Sequence, residues 1–177
     1  MRYSTGFNSF AYRVRGGSTM SPLKGAQKLA FSEDTDNRDL IVRLDSGDVI
    51  QYSEPVSTGR TATLDIVQLP ANFLKDVLGY TQGTSKVLVE GIQRTYTHFS
   101  LFYQYETDTE PVRVQLYDVV CAKPNFDVTT ITNRPSVDIK KLKLIINPDV
   151  SAGAYSRSIT RSENASLYDS WFGVVTT

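Results

Sequence analysis

Few side chains in this sequence are of kinds that do chemistry, and their spacing decides what they are for. His98 is the only histidine, set in Tyr96-Thr-His-Phe-Ser-Leu-Phe-Tyr-Gln-Tyr-Glu106 on the face opposite Phe99 and Leu101. A zinc site needs several nitrogen or sulfur ligands, and this chain has one histidine and one cysteine. That cysteine, Cys121, closes the apolar run Val112-Arg-Val-Gln-Leu-Tyr-Asp-Val-Val-Cys121. No basic or histidine residue adjoins it to draw off its proton, so it reads as a buried structural thiol. Asp65, Asp76, Glu90 and Glu106 supply carboxylates, but no spacing sets one as an acid opposite another as a base. The chain has no GxxxxGK[ST], no GxGxxG after a strand, no GxSxG and no HExxH. Asn164-Ala-Ser166 matches a glycosylation sequon, a pattern frequent by chance. The expectation is a protein that is not an enzyme and takes neither cofactor nor metal.

The elements that hold these residues are mostly strands. Arg60–Leu69 alternates, with Ala62, Leu64 and Ile66 on one face and Thr61, Thr63 and Asp65 on the other, the pattern of a half-buried strand. Leu69-Pro-Ala-Asn-Phe-Leu-Lys-Asp-Val-Leu-Gly79 then predicts a short helix over about 70–78. Pro70 suits its first position, Phe73, Leu74, Val77 and Leu78 make its apolar stripe, and Gly79 can adopt the left-handed stop. Two turns do not hold together alone in water, so those four residues are expected to anchor it on a sheet. Phe99, Leu101, Tyr103 and Tyr105 share one face of the next strand. After a turn at Thr107–Pro111, apolar residues sit on even positions (Val112, Val114, Leu116) and then on odd ones (Tyr117, Val119, Cys121). An unbroken strand cannot change face, so a β-bulge is expected near Leu116–Asp118. A similar parity change at Lys140-Lys141 predicts a second bulge or a barrel corner in Val137–Ile146.

Elsewhere the pattern is looser. Phe7–Arg15 alternates up to a turn at Gly16-Gly17, and Lys24–Ser32 reads as a strand. Glu33–Asp39 reads as a polar connector, leading to a hairpin of Leu40–Leu44 and Val49–Tyr52 about the turn Asp45-Ser46-Gly47-Asp48. Phe126–Thr132 is β-branched and reads as extended. The closing Tyr168-Asp-Ser-Trp-Phe-Gly-Val-Val175 is too apolar to stay in water, and either docks on its own domain as a terminal strand or on a neighbour as an arm.

The runs LPANFLKDVLG, VLVEG, FSLFYQYE and VRVQLYDVVCAKPNFDV resemble the major tail proteins of long-tailed bacteriophages, particularly the phi13-type family. The resemblance spans about Lys24 to Pro148, and its most specific part is the helix ending Lys-Asp-Val-Leu-Gly; Ala71 departs from it, where an acidic residue is expected. It implies a phage tail-tube fold: two packed antiparallel sheets in a β-sandwich or barrel-like domain with one short helix. It also implies copies that form rings, six to a ring, stacked into the hollow tail tube of a siphophage through which genome DNA is ejected. The implied partners are further copies of the chain and the tape-measure, tail-tip and tail-terminator proteins. Double-stranded DNA would pass the lumen without specific binding, and the implied location is the virion tail, after assembly in the bacterial host cytoplasm. In that family the long hairpin loop is implicated in ring stacking, which gives the stretch Asp45, Ser46, Gly47 and Asp48 that role here. Trp171 and Phe172 are candidates for an arm that docks on a neighbour.

Composition agrees with a structural role. The 177 residues suit one domain, expected with arms over 1–20 and 149–177, and 19 basic against 19 acidic residues argue against binding nucleic acid by bulk charge. No stretch approaches a membrane span or a signal peptide. Ten tyrosines and eight phenylalanines favour strands. The alternative reading is a monomeric β-sandwich binding module for a receptor or carbohydrate, using Tyr96, Tyr103 and Tyr105 as contacts; a small hydrolase would need a dyad that the sequence does not offer.

Overall fold

The computed structural model describes residues 7–43, 49–91, 96–124 and 139–172. In chain order these form β1 (Phe7–Val14), β2 (Ser21–Pro22), β3 (Ala26–Arg43), β4 (Val49–Ile66), α1 (Ala71–Asp76), β5 (Thr81–Gln82), β6 (Leu88–Val89), β7 (His98–Tyr105), β8 (Val112–Cys121), β9 (Lys140–Asn147), β10 (Ser156–Thr160) and α2 (Ala165–Asp169). The fold is mainly β with antiparallel pairing throughout the described strands. Eight strands join in one sheet, ordered β2-β1-β7-β8-β9-β4-β3 with β10 added on β8, and β5 and β6 make a small ribbon of their own. The expected layers are the two wings of this large sheet, which fold over a shared core.

The fold turns on β8. Phe99 pairs with Val119 and Leu101 with Leu116, so β8 spends one residue more than β7 over the same interval, and the bulge lies where the parity change predicted it. Below the bulge β8 pairs with β10 through Val112–Leu116; above it β8 pairs with β9 through Asp118–Cys121. The extra residue bends the strand and increases its twist. It also lets Val114 and Leu116 on one side, and Val119 and Cys121 on the other, enter the same core. One strand thus serves both wings.

That core draws on β1, β3, β4, β7, β8, β9 and α1. Its centre is an edge-on trio of rings: Tyr12 meets Phe73 at 5.1 Å and Phe99 at 6.3 Å between centroids, and Phe73 meets Phe99 at 5.8 Å. Such edge-to-face contacts add to the area they bury. Helix α1 is the plug. Phe73, Val77 and Leu78 are buried, Leu74 is half-buried against the same cluster, and the Tyr12 hydroxyl donates to Asp76 Oδ2 at 2.9 Å. The helix is shorter than its sequence pattern: Pro70 is the extended residue before the first turn, Val77 is the C-cap, and Gly79 has φ of +73°. The Tyr80 amide then donates back to the Leu74 carbonyl at 3.0 Å, closing the end.

Several expectations are corrected. Glu33–Asp39 is strand rather than connector, and the predicted small hairpin is the distal part of two 18-residue strands, β3 and β4. A run that is polar at every position hides a strand, because alternation then leaves no trace. The second predicted bulge is absent from the described register: Lys140–Ile146 pairs with β4 without a break, while Ile139 precedes the strand and is exposed. Arg60–Leu69 stops being strand at Ile66. Within 1–20, Phe7–Val14 is β1, paired with β7 and carrying buried Phe10 and Tyr12. The closing segment contributes a helix, α2, where a terminal strand was one of the expectations. Phe126–Thr132, Val137 and the turn Asp45–Asp48 lie outside the described residues.

Candidate assembly surfaces

The residues with chemical potential are placed apart. Cys121 is buried in the core, and burial alone pushes its thiol up to about 12, so it is a neutral thiol at any physiological pH. His98 finds a partner that the sequence did not indicate: its Nδ1 lies 2.7 Å from Asp118 Oδ1, and Arg15 approaches the other oxygen of Asp118 at 3.7 Å. Asp118 adjoins the β8 bulge, and Ser100 Oγ donates to the Tyr117 carbonyl at 2.7 Å there. These bonds tie down the irregular backbone. Asp76 is committed to Tyr12, and Glu90 pairs with Lys123, whose ammonium holds the carboxyl below its ordinary value. Among the described residues no group of three or more His, Cys, Asp and Glu could hold a metal.

Three surfaces remain. The first is the β3–β4 ribbon. On its other edge β4 pairs with β9 only through Arg60–Ile66, so Val49–Gly59 has no described partner but β3. At about 3.3 Å per residue the two strands run on for roughly 30 Å past the sheet. Where they leave it, Asp34 pairs with Gly59 and Thr35 with Ser57, which makes Thr58 a bulge residue at the root. Arg60 and Glu33 form an exposed ion pair at 3.7 Å beside it. A hollow of about 400 Å³ opens under this root between Phe31, Tyr103, Leu116, Ile146 and Tyr155. Phe31 is 52% exposed at its rim.

The second surface is the outer face of β1, β7, β8 and β10, which the chain covers itself. Trp171 and Tyr168 are buried against Ala11, Phe102 and Ile159, with Phe172 and Met20 packed at the margin. Asn164 is the N-cap of α2, its side chain accepting from the Leu167 amide at 2.9 Å, which gives the sequon-like triplet a structural job. Arginines fill between the rings: Arg113 over Tyr168 at 3.9 Å, Arg157 over Trp171 at 4.7 Å and Arg13 over Phe102 at 5.4 Å. Arg113 Nη1 also donates to the Tyr168 carbonyl, and Arg157 Nε donates to buried Gln115 at 2.8 Å. Trp171 and Phe172, expected at a contact with a neighbour, therefore pack on their own sheet. The sequence showed the apolar patch but not its seat, because Phe102 falls out of register with the core-facing set of β7.

The third surface is the opposite outer face, on β3, β4 and β9. Lys28, Asp65 and Lys141 stand in register across it, as do Ala30, Thr63 and Lys143. Lys28, Ala30, Lys141, Lys143 and Ile145 are exposed, so no described part of the chain covers this face.

No protein-family model matches the chain, and no curated protein matches it. Several solved structures are similar to it. A chain of the sheath–tube complex of an extracellular contractile injection system in its extended state gives a TM-score of 0.44 at 14% identity, over 86% of this chain and 88% of that one. The tube-terminating cap of the anti-feeding prophage gives 0.37 at 14% identity, over 86% and 88%. A sheath/tube terminator of an extracellular contractile injection system gives 0.41 at 15% identity, over 86% and 92%. At such scores and identities no residue role passes from those proteins to this chain.

Proposed function

We propose that this chain is a self-assembling structural protein of a phage tail tube. Copies join side by side into rings, six to a ring by the sequence resemblance, and the rings stack into a hollow shaft for genome DNA. The observation that carries this reading is the β3–β4 ribbon. A two-stranded ribbon is marginal by itself in water, and its unpaired edges are templates for another strand. Eighteen-residue strands of which only one end is built into the sheet make sense when a neighbouring copy supports the other end. The resemblance gives the ribbon's turn, Asp45–Asp48, the ring-stacking role.

The binding-module alternative loses most of its contacts. Tyr103 is buried and Tyr105 packs against the core, which leaves Tyr96 as the exposed member of the three. Electron microscopy of the purified protein, dilute and then concentrated, tests the proposal. Rings or hollow tubes of uniform width are expected, with tail-tip proteins added as a nucleus where the pure protein stays dispersed. Isolated particles under all these conditions would sink it.

A further inference from the structure

The ribbon and the sheet it grows from carry opposite charge. Between positions 33 and 54 the chain has seven Asp and Glu against two Arg, a formal −5. The whole chain is neutral, so the remainder carries +5. Part of that excess sits at the far end of the same strands. Lys28 pairs in register with Asp65, Asp65 with Lys141 and Thr63 with Lys143, which sets three lysines on one face about one carboxylate. The face is open, and Ile145, 43% exposed, lies on it one step from the root of the ribbon.

We infer that the β3–β4–β9 face is the seat for the acidic ribbon of a second copy of this chain. The inference rests on the tube reading and names the contact by which one ring would hold the next. The geometry is head to tail. The ribbon leaves the sheet at the Arg60–Ile146 end, and the lysine rows lie at the Ile66–Lys140 end. A chain cannot fold its own ribbon onto its own lysines, since the strands carry the two away from each other. A copy displaced along the strand direction brings one onto the other. A contact between two different patches does not close on itself, so it propagates as a filament. Charge complementarity of this kind sets partner and register and raises the rate of encounter, and salt screens it.

Two full-length variants test the contact. One carries Lys28→Glu, Lys141→Glu and Lys143→Glu; the other carries Asp36→Lys, Asp39→Lys and Glu54→Lys. Circular dichroism and thermal melting confirm that each is folded. Self-association is followed by sedimentation and electron microscopy. Wild type is expected to associate and to weaken about 10-fold or more between low and high salt. Each variant alone should stay dispersed, because its ribbon and its seat now repel. An equimolar mixture should assemble again, since each variant's ribbon fits the other's seat. Association of either variant at the wild-type level, or a mixture of two folded variants that stays dispersed, would overturn the seat and leave the tube reading standing. Wild type that never self-associates would overturn both.

Discussion

The sheet buries both faces of β7 and β8, and it does so in two different ways. Inside, large apolar side chains from six strands and α1 interlock, and the central ones are inaccessible to water. Outside, a five-residue cluster is roofed by a helix of five residues, and arginines stacked on rings supply much of the contact. The first is a closed packing problem, where any lost volume becomes a cavity. The second is a lid with water at its edges, where charged side chains cover apolar rings with their flat faces and stay hydrated at their tips. Removal of one large ring should therefore cost unequal amounts on the two sides.

Phe73→Ala should be the most damaging of the obvious changes, at about 3–5 kcal/mol, because the site is sealed by Tyr12 and Phe99 and cannot collapse. Denaturant melts measure it, and a loss below about 1 kcal/mol would mean that α1 is not part of the core. Trp171→Ala should cost less, about 2 kcal/mol, as Phe172 and Arg157 can settle into the gap. A cost equal to that of Phe73→Ala would erase the distinction between core and lid.

Tyr12→Phe removes the hydroxyl that donates to Asp76 and also bonds the Ser21 side chain, and should cost about 1 kcal/mol at neutral pH. Burial, then the bond to and charge of Asp76, raise the Tyr12 phenol above its ordinary value of 10.0. A group whose pKa is higher folded than unfolded contributes stability below the unfolded value, and that contribution fades as the pH climbs above it. Wild type should therefore lose stability from about pH 10 upward, and Tyr12→Phe should lose it less steeply. Parallel curves for the two proteins would contradict the burial of that hydroxyl. The smallest effect is expected from Trp171→Phe. The indole Nε1 is buried without a hydrogen-bond partner among the described residues, so its removal takes away an unsatisfied donor along with some apolar area. Stability within about 1 kcal/mol of wild type is the expected result in the same melts.

The inner side was legible in the sequence and the outer side was not. Val112–Cys121 announced its bulge because both halves of the strand point apolar residues at one core, and a change of parity cannot be hidden. Pro70, the stripe Phe73–Leu78 and Gly79 announced α1 in the same way. At Lys140 the same rule failed, since Ile139 belongs to no strand and its parity carried no information. Phe102 and Ala11 went unread because a strand buried on both faces offers no alternation to count. The proximal part of the ribbon went unread as strand because Glu33–Asp39 is polar at every position, which leaves no alternation to count. The His98–Asp118 pair joins residues 20 apart that meet only through the register of β7 and β8.

The order of β9 in the chain gives the ribbon a history as well as a shape. β3 and β4 are sequence neighbours and can zip in microseconds, but β9, the strand that anchors them, begins at Lys140. At ribosomal rates of about 5–20 residues per second, the paired strands wait several seconds for their anchor, and β10 and α2 emerge later still. A two-stranded ribbon without a third strand is marginal in water, so pairing before that point is reversible. The ribbon thus gains its anchoring strand only once the chain has been made past Lys140, so its firmness is set by a late event in synthesis rather than by its own local pairing. Pulse-labelled hydrogen exchange during refolding should show the amides of Thr61–Ile66 gaining protection together with those of Lys140–Ile146, and early protection of the hairpin alone would deny the delay.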